Sequence, residues 1–160
     1  MTDSDHERSL YEARLDAQYY EIFHLRNARF FSHLRTLFSI ILLVSGTAAF
    51  TLMIRADELV AAVVGSTIAI LTILDHVIGP AARVVKHEHQ AAQFAALLAE
   101  GRGLDLEAFD AQLAALRTSD DVNGLDVLRC VAYNDNVNAA GRESYAFKLT
   151  PWQRFAALLA

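Results

Sequence analysis

The residues with chemical capability lie in four places. Asp75-His76 stands at the end of the most apolar part of the chain, in "ILTILDHVIGPAARVVKHEHQ". An acid beside a histidine can relay protons, line an ion path, or mark where a membrane ends. Catalysis would also need a nucleophile and an oxyanion-binding device, and the sequence offers neither beside the pair. His87-Glu88-His89 is the second place. It is not the HExxH zinc pattern, because histidines two apart on a helix point about 200° apart and cannot share a metal as that motif does. A solvated helix face is expected there. The third is "YNDNVN", Tyr133 to Asn138, which begins like a calcium loop. Ala139 stands where that loop needs glycine, and Tyr145 where it needs its last glutamate. Asn134 and Asn138, four apart, could instead hydrogen-bond across a helix pair. The fourth is a set of small and hydroxylic residues inside apolar runs: Ser45, Gly46 and Thr47, then Ala61, Gly65, Ser66, Thr67 and Ala69. Small residues let helix backbones approach closely in lipid. Two readings stand side by side: packing of two helices within one chain, or an oligomer contact or pore wall lined by Ser45, Thr47, Ser66 and Thr67. No phosphate-binding loop, dinucleotide fingerprint, nucleophile elbow or zinc spacing occurs. The expectation is a non-enzyme with no metal and no cofactor.

The elements that position these residues follow from the distribution of charge. Thr36 to Ile54 contains no charged residue, Arg55-Ala56-Asp57-Glu58 interrupts, and Leu59 to Leu74 is uncharged again. A hydrocarbon core of about 30 Å needs roughly 20 apolar residues as helix. The first run has that length. The second has 16 uncharged residues and reaches Ile78 if Asp75-His76 lies at the lipid headgroups. Two transmembrane helices are expected, at 35–55 and 59–78, joined by a loop short enough to make them antiparallel neighbours. Arg26, Arg29 and Arg35 precede the first and Arg83 and Lys86 follow the second, whereas Asp57 and Glu58 outweigh Arg55 in the loop. Basic residues favour the cytoplasmic side, so both termini are expected inside. Counting back from the loop puts Gly46 at the depth of Thr67, and Asp75 near that of Phe38. Arg35, Asp75 and His76 thus mark the inner boundary, with Asp75 reaching water or pairing with Arg35. An inner pore mouth or subunit contact is the alternative for the same three residues.

Outside the apolar block the pattern is helical and polar. Residues 5–33 read as an amphipathic helix with Ser4 and Glu7 spaced as a capping box. Its stripe is Leu15, Tyr19, Ile22, Arg26, Phe30 and His33, and its polar face Glu12, Asp16 and Asn27. Pro80 either opens a new helix or kinks one long rod, and Gly101 and Gly103 end it. Asp105 caps the next helix, Ser119 or Asp120 the one after, which ends near Gly141. Thr150-Pro151 opens the last. No segment alternates with strand period. The expected fold is an all-α membrane protein. Residues 1–34 form an N-terminal amphipathic cytosolic helix, 35–79 a two-helix transmembrane hairpin, and 80–160 C-terminal cytosolic helices completing a helical bundle. The polar, acidic start is neither a secretory signal nor a transit peptide. One cysteine, Cys130, allows no internal disulfide, and a formal charge of −5 gives no attraction to nucleic acid.

The layout resembles the SLATT domain, a two-transmembrane effector associated with nucleotide-signalling modules in bacterial conflict systems. The resemblance rests on "FHLRNARFFSHLR", a minimal outer loop, "LDHVIGPAARVVKHEHQ", "AYNDNVNAAG" and "LTPWQRFAALLA", together spanning nearly the whole chain. It implies an effector of the bacterial inner membrane that oligomerises and perforates or depolarises the bilayer in antiviral defence. No nucleotide-making or nucleotide-binding domain is attached, so the implied trigger is a separate sensor or nucleotide-signalling protein, or a ligand meeting the cytosolic helices. The alternative is a membrane-anchored scaffold or adaptor whose cytosolic helices bind a partner protein.

Overall fold

The computed structural model describes residues 8–55 and 58–160, with the side chains of 48–55 outside the description. The described residues are all-helical: α1 Leu10–Arg55, α2 Glu58–Ile78, α3 Pro80–Glu100, α4 Leu106–Ser119, α5 Arg129–Ala139 and α6 Pro151–Leu159, with three short 3₁₀ turns between α3 and α6. The amphipathic helix and the first apolar run are one 46-residue rod, about 70 Å long at 1.5 Å per residue. It starts on a capping box. Ser9 Oγ accepts from the Glu12 N–H at 3.2 Å, and the Glu12 carboxylate accepts from the Ser9 N–H at 2.8 Å. The Ser4–Glu7 box expected from the sequence lies outside the described residues, as does the loop centre at 56 and 57. Two helical stretches, Leu10–Thr47 in α1 and Glu58–Gly103 through α2 and α3, contain segments long and apolar enough to cross a membrane.

α1 packs against both α2 and α3, and one set of its covered residues follows an unbroken rule. Ala13, Ala17, Tyr20, His24, Asn27, Phe31, Leu34, Phe38, Ile41 and Ser45 are buried or half-buried, stepping by four and three. That is the seam of a left-handed helix pair. α2 answers with Ala61, Val64, Ile68, Leu71, Asp75 and Ile78, and α3 with Pro80, Arg83, His87, Gln90, Phe94 and Leu97, stepping likewise. Tyr20 stacks on Phe94 and Phe31 on His87. The partner's number falls from 94 to 87 as that on α1 rises from 20 to 31, so α3 runs antiparallel to α1.

Between α2 and α3 the seam jumps. Gly79 takes the left-handed conformation (φ 57, ψ 49) and Pro80 begins a new helix, so the break is a joint between helices rather than a kink in one. Had the phase of α2 continued, Ala82, Val85, His89 and Ala92 would face α1; all four are exposed. The residue that turns inward is His87. Arg83 secures the joint by donating from Nε to the Ile78 carbonyl at 3.0 Å and from Nη1 to Asn123 O at 3.2 Å. This places a cation on the negative end of the α2 dipole.

Two apolar clusters flank α1. Ala13, Ala17, Phe94, Leu97, Phe109 and Leu113 join it to α3 and α4. Phe23, Leu128, Val131, Ala132, Ala156 and Ala160 join its other face to α5 and α6, with Tyr19, Ile22 and Phe30 at the edge. The stripe expected from the sequence is therefore the face that meets α5 and α6. A second stripe, hidden by its alanines and polar residues, meets α3. Burying a phenylalanine contributes about 1.5–3 kcal/mol, and Phe94 and Phe109 are both fully buried. Asn27, expected on the polar face, is fully buried. Its Nδ2 donates to Phe23 O at 2.8 Å and its Oδ1 accepts from the Leu125 N–H at 2.7 Å.

The remaining helices start largely where capping chemistry puts them. Asp105 caps α4 by accepting from the Ala108 N–H. Thr150 and Gln153 form a full capping box on α6, with Pro151 in its first turn. The helix expected to open at Ser119 or Asp120 opens later, at Arg129, because 120–125 forms an irregular strap across α1 and α3. Asp120 ends α4 as its C-cap rather than opening the next helix. Its Oδ1 accepts from the Val122 N–H at 3.0 Å, two residues on, and its other oxygen turns inward.

Candidate functional site

The strap, α1 and α3 converge just below the apolar segments on a buried polar chain. His24 and His87 are both fully buried. Their Nδ1 atoms lie 2.9 Å apart, and His24 Nε2 lies 3.0 Å from Asp120 Oδ2. The carboxylate fixes the tautomers. It can only accept, so His24 Nε2 carries hydrogen and the neutral ring offers Nδ1 as acceptor. His87 must then donate from Nδ1, which leaves its Nε2 a bare lone pair. That nitrogen is buried and has no hydrogen-bond partner. Aromatic rings hold the pair in place. Phe94 stacks on His24 with 13° between planes, Phe31 on His87 with 10°, and the Arg83 guanidinium lies 5.2 Å over Phe31.

This arrangement can pass a proton. The free lone pair of the two rings is His87 Nε2, so a proton added to the pair enters there, and the Nδ1 hydrogen of His87 passes to His24 Nδ1 across the 2.9 Å contact. A proton taken up on the far side of His87 thus arrives as a positive His24 ring beside Asp120. Burial pushes His87 down to about 4, helped by the neighbouring His24 and Arg83 and opposed by Asp120. Burial lowers His24 too, against the pull of Asp120. Both rings are therefore neutral at pH 7. Among the described residues no group of three or more His, Cys, Asp or Glu is arranged to hold a metal.

His87 corrects the expectation of a solvated His87-Glu88-His89 face; Glu88 and His89 alone are exposed. The spacing argument against a shared metal stands, and the missed signal is the phase jump at Gly79. The YNDNVN segment lies in α5 and acts structurally. Asn134 donates to and accepts from the Phe147 backbone, each at 2.8 Å. Asn136, not Asn138, crosses to α1, donating to Leu15 O at 2.9 Å.

The span residues are arranged differently. Ala61 and Ser45 are half-buried on the facing seams, whereas Gly46, Thr47, Gly65, Ser66, Thr67 and Ala69 are exposed. A methyl added at Gly46 or Gly65 would meet nothing within 4 Å. The half-buried side of α2 carries Val64, Ile68 and Leu71 instead. Thr67 donates to Val63 O at 2.9 Å, within its own helix. At the lower end Asp75 is half-buried on the seam and His76 exposed. Arg35 is exposed beside a groove lined by Ser32, Thr36 and Ser39. Asp75 and Arg35 form no ion pair with each other; the ion pairs among the described residues lie elsewhere.

Set against family models, curated proteins and solved structures, the chain finds no match.

Proposed function

We propose that the chain is an effector of the bacterial inner membrane that oligomerises and opens or disrupts the bilayer, causing death or arrest of the cell. The observation that carries this reading is the surface of α2. It has no buried residue, and Leu59, Val63, Ile70, Ile73 and Val77 each expose more than half of their area. A 21-residue helix of this kind is stable only in lipid or against further helices. The small and hydroxylic residues Gly46, Gly65, Ser66 and Thr67 are exposed on α1 and α2, where neighbouring copies would meet. The reading places 35–79 in the bilayer as a hairpin, the other helices as a cytosolic bundle, and both termini inside. Arg35, Asp75 and His76 then ring the inner mouth. The SLATT resemblance supports the same role in defence against phage, with a separate sensor as trigger and no enzymatic step. The test is membrane potential after expression of wild type and Gly65→Leu under activating conditions. Wild type should collapse the potential and Gly65→Leu should not; an intact potential in both refutes the reading.

The second reading is an anchored scaffold. An open groove of about 520 Å³ between α3 and α4, lined by Gln93, Leu97, Gln112 and Leu116, favours it as a place for a partner. Replacing the hairpin by an unrelated one separates the two, since a tether survives the exchange and a pore-former does not.

A further inference from the structure

The last helix carries an apolar face that nothing in the fold covers. Ala156 in α6 and Ala160 at its C-cap are buried against α5 and α1, while Trp152, Phe155 and Leu158 on the other side are 66%, 50% and 82% exposed. Trp152 and Phe155 stack with centroids 5.5 Å apart. A short helix of this kind usually turns such a stripe inward; here the inward side is alanine. Where the helix lies explains what the stripe meets. Leu149, just before α6, packs with the Phe23 and Leu128 cluster. At the other end the Leu159 carbonyl accepts from His33 Nδ1 at 2.7 Å. α6 therefore climbs α1 toward Thr36, the first residue of the uncharged run. No Asp or Glu occurs from Ser144 to Ala160, while Lys148 and Arg154 do, and both are exposed.

We propose that α6 is an interfacial helix that lays Trp152, Phe155 and Leu158 into the headgroup layer of the inner leaflet, beside the point where α1 enters the bilayer. The proposal rests on the spanning reading above and adds a second, peripheral membrane contact to it. Tryptophan belongs at headgroup depth, where its ring is apolar and its N–H wet. A basic helix with one aromatic face binds anionic lipid by buried area and by charge together. The contact would also fix how the lower helices sit under the membrane, because α6 is tied to α1 through His33 and to α5 through Ala156.

Trp152 is the sole tryptophan, so the full chain reports on itself. It is reconstituted into vesicles of equal parts phosphatidylcholine and phosphatidylglycerol, with or without bromine near the top of the acyl chains, and washed at alkaline pH. The proposal expects retained protein, blue-shifted emission, and marked loss of that emission to the brominated lipid. Leu158→Asp, at a site too exposed to disturb the fold, should remove most of that loss. Retained protein whose Trp152 emits as in water and is freely quenched by acrylamide overturns the proposal while leaving the spanning reading intact. Blue-shifted emission without quenching by bromine overturns it in favour of a second protein copy on the stripe. Protein washed off the vesicles overturns the spanning reading and this proposal with it.

Discussion

The buried histidines make the fold sensitive to acid in a way that can be worked out beforehand. His87 falls from 6.5 to about 4 on folding, and His24 shifts in the same direction. A histidine lowered in the folded state binds fewer protons there than in the unfolded chain, so stability rises with pH across the window. Conversely, stability is lost as pH drops below about 6.5, and the loss from His87 is complete below about 4. Integrating that single shift at 1.36 kcal/mol per unit gives about 2 kcal/mol lost between pH 7 and pH 5, and about 3 kcal/mol in all. His24 adds loss of the same sign. The perturbation is His87→Gln, whose amide can still donate toward His24 Nδ1 but cannot titrate. Thermal unfolding followed by circular dichroism in mild detergent, from pH 7.5 to pH 4.5, is the assay. Wild type should lose Tm steadily toward acid, by several degrees for about 2 kcal/mol in a chain of this size. The variant should start lower at pH 7.5 and fall on a shallower slope. A flat wild-type profile, or a variant with the wild-type slope, would refute the burial of the pair.

Other expectations follow from single contacts. Asn27→Ala leaves the Leu125 N–H without its partner and frees the strap, so it should cost about 1–3 kcal/mol in denaturant unfolding. Leu125→Ala, which keeps that N–H, should leave protection of the 125 amide from hydrogen exchange intact. Gly124→Ala puts a methyl into the ring of Phe23 and should cost about 1–3 kcal/mol by overpacking; its Tm should recover when combined with Phe23→Leu. Gly79→Ala forces a side chain into the left-handed region and should cost roughly 1–2 kcal/mol. Gly79→Asn should cost less, and equal losses for the two would argue against the left-handed joint.

Much of this architecture is written in local signals. Asp105 and the Thr150-Pro151 pair mark helix starts by side chains that bond the first free N–H groups. Gly101 ends α3 in a 3₁₀ turn, and the uncharged runs give α2 its length. Those features need only neighbours in sequence. What escaped depends on contacts between distant segments. Asn27 reads as a polar-face residue until its amide is seen to bridge two backbone segments almost a hundred residues apart. Asp120 is an ordinary helix cap by sequence, and its inward oxygen becomes intelligible only with His24 opposite. His87 could not be told from His89 without the rotation at Gly79, since two positions separate them and the joint shifts the covered face by two. The span residues stand out by size and polarity, which carry no information on helix phase, and Gly46, Gly65, Ser66, Thr67 and Ala69 fall on the exposed side of their helices.

The joint at Gly79 has a mechanical side. α1 passes from the apolar block into the lower helices as one stiff beam, whereas α2 is attached to α3 through a single left-handed residue. The two strands of the pair therefore transmit differently. Tilt of α1 is carried straight down to His24, Asn27 and everything packed on them. Rotation of α2 about its own axis can be absorbed at the joint, with Arg83 as the latch across it. A rotation of α2 would thus leave the core of the lower half in place, whereas a tilt of α1 would not.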